Sequence, residues 1–530
     1  MKNSFLALLS GILLALSWPT YGFPGLLFFA FVPLLLAERA LRGKNPKKSG
    51  WRVFGLAYVS FFIWNLIATY WLYFSTPFGM WFAILANSLL MSLVFLIYHF
   101  VAKRTKFGAA CTFLVVLWIS FEYLHLHWEF SWPWLNLGNA FSEYFKWIQW
   151  YEYTGTFGGT LWVWLVNIGI FKTVLLYRKY RAKSIIYWSI LKNGLLILVP
   201  ILISWFILEN YSIDESKKTE VVILQPNIDP YTEKYNTTDK RIGILLNDLA
   251  KTTVDYNTNL VIAPETVFAD GTKLNQFEYS PGYFYSKEMI SENPKLNFLG
   301  GISMYSVFHD REKIRKQTNQ LKPGVWYDDY NAAFLMNNQT DSTQFYYKSK
   351  LVVGVENFPY QGFLKPILGD VMIDLGGTVA MKTTQSEREV FVTNNSVKIA
   401  PIICYESVYG EYVTGYVKNG AQVLAIITND AWWGDTQGHK QHLSYARLRA
   451  IETRRSVARS ANTGISAFIN SKGEIISSLG YEKMGSLKEN VILNSEKTFY
   501  VQHGDYIARI ALFLAAFIFL FATVKKRTDF

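Results

Sequence analysis

"LLILVPILISWFILENYSIDESKKTEVVILQPN", residues 195–227, changes character halfway along. Up to Leu208 it is part of an apolar run starting near residue 187, long enough to cross a hydrocarbon core that needs about 20 residues. From Thr219 the apolar residues form a short run closed by Pro226 and Asn227, the pattern of a strand followed by a turn. The chain therefore leaves a membrane and enters a globular domain at this point.

Working outward from this junction, apolar segments of spanning or nearly spanning length lie near 4–20, 23–41, 53–73, 79–101, 108–124, 160–177 and, after the globular part, 506–524. With 187–208 they make eight expected transmembrane helices. The division is a membrane domain over 1–210 with seven helices, a globular domain over 215–500, and an eighth helix over 506–524. Hydrophobic residues make up 51% of the chain and aromatic ones 17%, high for a water-soluble protein. The formal net charge of +12 comes in short basic clusters between apolar runs, which argues for membrane topology and against nucleic acid. "RGKNPKKSGWR", "AKRTKFG", "YRKYRAK" and "KKRTDF" follow segments two, four, six and eight, while the odd connections carry only Lys146. The positive-inside rule then puts both termini in the cytoplasm and the large domain outside it. Cleaving the first segment as a signal peptide would spoil this alternation, so it is expected to remain.

The spans hold almost no ionisable residues apart from Lys192, which argues against a transporter. The aromatic-rich connection 122–158 is expected along the outer membrane face. Only Cys111 and Cys404 are present, so a disulfide framework is not expected.

In the globular domain, strand-like runs alternate with helix-like stretches such as 239–256 and 440–459, which predicts a sheet covered by helices. Three strands end in chemistry. "LVIAPE" delivers Glu265, "FYYKSKLVV" offers Lys348 and Lys350 on one face, and "APIICYE" delivers Cys404. A glutamate ending a buried strand is costly without a partner, and a cysteine at a strand-to-helix turn can have its thiol pKa lowered by helix amides. Spacing alone does not choose between Lys348 and Lys350.

The motifs "APET" (263–266), "YYKSKLVVGVENFP" (346–359), "IICYES" (402–407) and "NDAWWGDTQGHKQHLSYARLRAIETRRSVARSANTGISAFI" (429–469) resemble the nitrilase, or carbon-nitrogen hydrolase, superfamily, and more narrowly its apolipoprotein N-acyltransferases. The resemblance extends over nearly the whole chain. It implies an integral membrane helical bundle of eight helices with an extracytoplasmic α/β nitrilase-like domain, an α-β-β-α sandwich. It also implies Glu265 as general base, Lys348 as oxyanion-stabilising lysine and Cys404 as nucleophile. Glu356 matches a further essential glutamate, and Tyr405, Glu406 and Trp432 match residues flanking the active site. Tyr235 stands roughly where the family has a tryptophan. These five, with Trp134, are the candidates for substrate binding or gating. "VGVEN" departs from the family's common "PFGEY".

The implied reaction moves a fatty acyl chain from a membrane phospholipid to Cys404 as a thioester, then to the α-amino group of a diacylated apolipoprotein. Extracting about 15 methylenes into water would cost on the order of 12 kcal/mol, which accounts for an enzyme built into the membrane. The apolar stretch 358–377 is a candidate mobile arm touching lipid. The location implied is the inner membrane of a bacterium, the catalytic domain in the periplasm and the protein a monomer. The chemistry needs no cofactor, and His439 and His442 with Asp430 and Asp435 fit no common zinc spacing, so no metal is expected. The arginines of "RLRAIETRRSVAR" are expected on a solvated or ion-paired helix face. A membrane-tethered small-amide hydrolase and a non-catalytic transporter or lipid-binding scaffold are the competing readings.

Overall fold

A computed structural model of the chain describes residues 2–43, 49–229, 237–291, 293–340, 342–363 and 380–524. It forms two units, Met1–Tyr211 with His503–Phe530, and Ser212–Gln502.

In the first unit, seven helices among the described residues are long and apolar enough to cross a membrane: Pro24–Gly43, Ser49–Thr69, Pro77–Ala102, Phe107–His125, Thr156–Tyr180, Lys183–Asn210 and Tyr506–Val524. The first expected segment, 4–20, is instead the 14-residue helix Lys2–Ala15. Pro19 disfavours helix in the residue before it. Thr20, at φ 77°, turns the chain back, so that Phe23 N donates to Leu16 O at 2.9 Å. The helices close on buried aromatic side chains; Phe31 and Trp164, for example, stack at 4.2 Å. Trp134 is buried in the same unit, edge-on to Trp71 at 5.0 Å.

The expectation that the spans are nearly free of ionisable groups is corrected. Glu38 is buried with Arg42 (3.0 Å) and His99 (2.6 Å), and Glu122 accepts from Trp118 Nε1, Leu137 N and Thr160 Oγ1 at 2.7–2.9 Å. Each carboxylate is locally satisfied, the condition under which such groups are tolerated at depth. The sparse reading fails because these residues are scattered singly through apolar sequence.

The second unit holds two sheets. One runs β14 (Gly485–Ile492), β1 (Lys218–Gln225), β2 (Leu260–Ile262), β4 (Asn297–Phe308), β6 (Val325–Asn337), β5 (Asn319–Lys322), with β3 (Phe268–Lys273) beside β4 and β7 (Gln344–Tyr347) beside β6. The other runs β13 (Ile475–Leu479), β12 (Ser466–Ile469), β11 (Ser456–Ala461), β10 (Val423–Thr428), β9 (Lys398–Ile403), β8 (Phe391–Val392). The central strands β1, β2, β4 and β9, β10, β11 are parallel and mostly buried, because both faces are covered; β11 carries several polar side chains, Ser456, Arg459 and Ser460, all of them buried. The sheets face one another: Ser460 Oγ donates to Leu224 O at 2.7 Å, and Ser466 N to Gln225 Oε1 at 3.0 Å. Helices Asp239–Lys251 and Pro281–Ser291 back the first sheet through Ile242, Leu246 and Ile290. Helices Gly410–Lys418 and Gln437–Thr453 cover the second. This is the expected α-β-β-α sandwich.

The expected helix 440–459 stops earlier. It ends at Thr453, Arg454 takes left-handed φ 51°, and Ser456–Ala461 becomes the fully buried strand β11 between β10 and β12. Arg455 and Arg459 therefore belong to the sheet side of the turn. Burial against two neighbouring strands overrides the helical look of the sequence.

Candidate active site

Parallel strands gather their C-terminal ends on one edge, where ligands of open α/β sheets bind. Glu265 follows β2 by three residues, Cys404 follows β9 directly, and Asn429 and Asp430 follow β10. The turn carrying Glu265 crosses β4 so closely that a Cβ on Gly301 would lie 2.3 Å from Thr266 N. Glycine is required there, and Gly301 N donates to Pro264 O at 3.1 Å.

Lys348 leaves the end of β7, its amide donating to Asn331 O at 2.9 Å. Its buried ammonium lies 2.9 Å from Glu265 Oε1 and 2.9 Å from Glu356 Oε1. Asn331 Nδ2 bridges the same two oxygens at 2.8 and 3.0 Å. Glu265 Oε2 accepts from Asn429 N at 3.2 Å, and Glu356 Oε2 from Val352 N at 2.9 Å. Burial disfavours the Lys348 ammonium, but the two carboxylates outweigh it and hold its pKa well above the usual lysine range. Lys348, not Lys350, occupies this position; Lys350 lies over the Tyr409 ring.

Cys404 is buried and has φ 50°, an uncommon conformation for a residue with a side chain. Burial pushes its thiol pKa up, the Glu265 carboxylate pushes it further, and Lys348 opposes both. The expectation of a lowered thiol pKa is thus corrected. The helix following it is a five-residue 3-10 turn, Cys404–Val408, and desolvation beside an anion prevails over its amides. A thiol in this state needs a base to take its proton during attack.

Glu406 joins the two loops. Its Oε1 accepts from Tyr346 OH (2.7 Å), Tyr412 OH (3.0 Å) and Ser349 N (2.7 Å) on the lysine side, while Oε2 accepts from Ile403 N (2.9 Å), next to Cys404, and from Tyr416 OH (3.3 Å). Burial raises its pKa despite these donors. Glu406→Ala removes the shared acceptor of three tyrosine hydroxyls and three amides, those of Ser349, Lys350 and Ile403, so a loss of about 4 kcal/mol is expected. Thermal unfolding measures it, and a change under 1 kcal/mol would remove Glu406 as the brace.

Arg459, Asp430 and His442 form a buried chain behind Cys404. Arg459 pairs with Asp430, whose Oδ1 lies 2.9 Å from His442 Nδ1 and accepts from Thr428 Oγ1 at 2.7 Å. His442 Nε2 is 3.2 Å from the Cys404 carbonyl oxygen and 3.0 Å from Ser407 Oγ, which itself donates to that carbonyl at 2.7 Å. Cys404, Asp430 and His442 offer ligand atoms within 4.8 Å of one another. Because Arg459, His442 and Thr428 already engage Asp430, the group reads as a bracing network. The arginines are not solvated: Arg449 pairs with Glu452 at 2.8 Å, Arg455 donates to Ala421 O at 2.8 Å, and both are buried.

Burial alone would raise the Asp430 carboxyl, but Arg459 and His442 hold it well below the usual range. Its contribution to stability is therefore complete above about pH 4 and is lost as pH falls further. Asp430→Asn is expected to cost about 3 kcal/mol at pH 7, with the Tm gap to wild type narrowing steadily as pH falls below about 4. A gap independent of pH would contradict the ion pair.

Tyr405 is buried, edge-on to Tyr409 at 5.2 Å, and Trp432 is half-buried in the turn after β10. Tyr235 and residues 364–377 of the expected arm lie outside the described residues. Sequence reading missed Asn331, whose only signal is an asparagine inside a strand, and the tyrosines around Glu406.

A model of the carbon-nitrogen hydrolase family matches residues 221–496, and one described as the apolipoprotein N-acyltransferase N-terminal domain matches 10–169. Apolipoprotein N-acyltransferase of Chlorobaculum tepidum is 28% identical, covering 99% of this chain and 97% of that protein. The Thermotoga maritima protein of the same name is 27% identical, covering 97% and 93%. Among solved structures, an amidase from Nesterenkonia sp. aligns with 57% of this chain and 98% of its own at 13% identity and a TM-score of 0.36. The chain belongs to the carbon-nitrogen hydrolase family, in its apolipoprotein N-acyltransferase branch.

Proposed function

We propose that this protein N-acylates lipoproteins in two steps through a Cys404 thioester, with a membrane phospholipid as acyl donor. Support comes chiefly from one observation, the Lys348 ammonium clamped between Glu265 and Glu356 beside the buried Cys404 thiol. In the first step Glu265 takes the thiol proton as sulfur attacks the ester carbonyl, and the Lys348 ammonium stabilises the oxyanion. Collapse breaks the ester C–O bond, Glu265 returns the proton to the leaving oxygen, and a lysophospholipid departs. In the second step the α-amino group of a diacylglyceryl-cysteine attacks the thioester. Glu265 accepts the amine proton, the C–S bond breaks, and the thiol is restored with that proton. The product is an amide.

The location that fits this reading is the inner membrane of a bacterium, with both termini cytoplasmic, the catalytic domain periplasmic and the protein a monomer. The test is a chase of the acyl-loaded enzyme with a diacylglyceryl-cysteine peptide, read by mass spectrometry. The peptide is expected to gain one acyl chain as the enzyme loses it, and an N-acetylated peptide to leave the enzyme loaded. Loss of the chain to water at the same rate with either peptide would replace this reading with a hydrolase.

A further inference from the structure

Two cations converge on one aromatic ring beside the lysine loop. Lys350 Nζ is 4.8 Å from the Tyr409 ring centroid and 5.8 Å from that of Tyr412, and the Arg388 guanidinium is 4.4 Å from Tyr412. Among the described residues neither has a carboxylate within ion-pair distance. Burial and the neighbouring Arg388 act against the Lys350 ammonium and outweigh Glu406 and Glu411, which favour it from beyond ion-pair distance. Like charges are held close here with no carboxylate paired directly to either, an arrangement that an anionic ligand completes.

The pair is tied to the catalytic framework. Lys350 N donates to Glu406 Oε1 at 3.4 Å, the oxygen that also holds Ser349 N, while the Lys350 ammonium is left to the tyrosine faces. Tyr409 packs edge-on against Tyr405, the residue after Cys404. Arg388 is fixed by its main chain, Asn419 Nδ2 donating to its carbonyl at 2.8 Å. A guanidinium and an ammonium flanked by tyrosines suit a phosphodiester, which accepts from both at once. In a glycerophospholipid only the glycerol backbone separates that phosphate from the scissile ester.

We infer that Lys350 and Arg388 bind the headgroup phosphate of the acyl donor; this rests on the thioester reading above and specifies how that site selects its donor. The test measures the rate of Cys404 acylation in full-length, detergent-solubilised protein, from a phosphatidylethanolamine and from a p-nitrophenyl ester of the same acyl chain. Lys350→Met with Arg388→Met keeps both aliphatic stems. The double variant is expected to lose roughly 10- to 100-fold with the phospholipid and less than about twofold with the neutral ester, the latter also showing that the variant is folded. Lys350→Arg, which keeps the charge, is expected to retain most of the phospholipid rate. Equal losses with both donors, or none with either, would overturn the phosphate site. Wild type taking acyl chains from neither donor would overturn the thioester reading, and this inference with it.

Discussion

Cys404→Ala is expected to lower acyl transfer by at least on the order of 10⁴-fold while leaving the protein folded. The side chain is small, buried and at the end of β9, and no other residue of the site offers a nucleophile of its kind. Its φ of 50° adds a second, independent expectation. A residue with a Cβ is strained there by about 1 kcal/mol and glycine is not. Cys404→Gly should therefore be as inactive as Cys404→Ala yet more stable by about 1 kcal/mol, read from urea unfolding in detergent. Glycine less stable than alanine would mean that the left-handed backbone stores no strain.

Lys348→Met is expected to act on both stability and rate. Removing the ammonium leaves the buried Glu265 and the half-buried Glu356 as two carboxylates sharing Asn331 Nδ2, an uncompensated arrangement that costs about 3 kcal/mol. On the proposed mechanism it also removes the charge that stabilises the tetrahedral oxyanion, so the folded variant should turn over roughly 10²- to 10³-fold more slowly. The two effects separate in Lys348→Met with Glu356→Gln. That pair removes one of the stranded charges and should recover at least about 1 kcal/mol of stability with no recovery of rate. Activity within tenfold of wild type in Lys348→Met would rule out the oxyanion role. Recovered rate in the pair would make Lys348 a structural counter-ion.

The division into a membrane unit and an α/β domain, and the strands ending at Glu265 and Cys404, were legible because they rest on local patterns: apolar runs of fixed length, and short apolar strands closed by polar residues. What stayed hidden depends on contacts across long sequence separations. Asn331 meets Glu265 from 66 residues away, Tyr346 meets Glu406 from 60, and Arg459 reaches Asp430 from 29. No spacing rule announces such pairs. Residues 456–459 of the strand Ser456–Ala461 carry a helical pattern in the sequence, and the strand's place between β10 and β12 is a tertiary fact. The direction of the thiol pKa was misjudged for a related reason, since burial and the charge of Glu265 come from other strands and exceed what the local turn contributes.

The central claim is that an acyl chain passes from phospholipid to the sulfur of Cys404. Intact-mass spectrometry of the detergent-purified protein after incubation with phospholipid tests it most directly, with Cys404→Ala beside wild type. The expected result is a mass increase of one fatty acyl chain on wild type, removed by hydroxylamine and absent from the variant. An unmodified wild type under saturating phospholipid, or an adduct that persists in Cys404→Ala, would contradict the account.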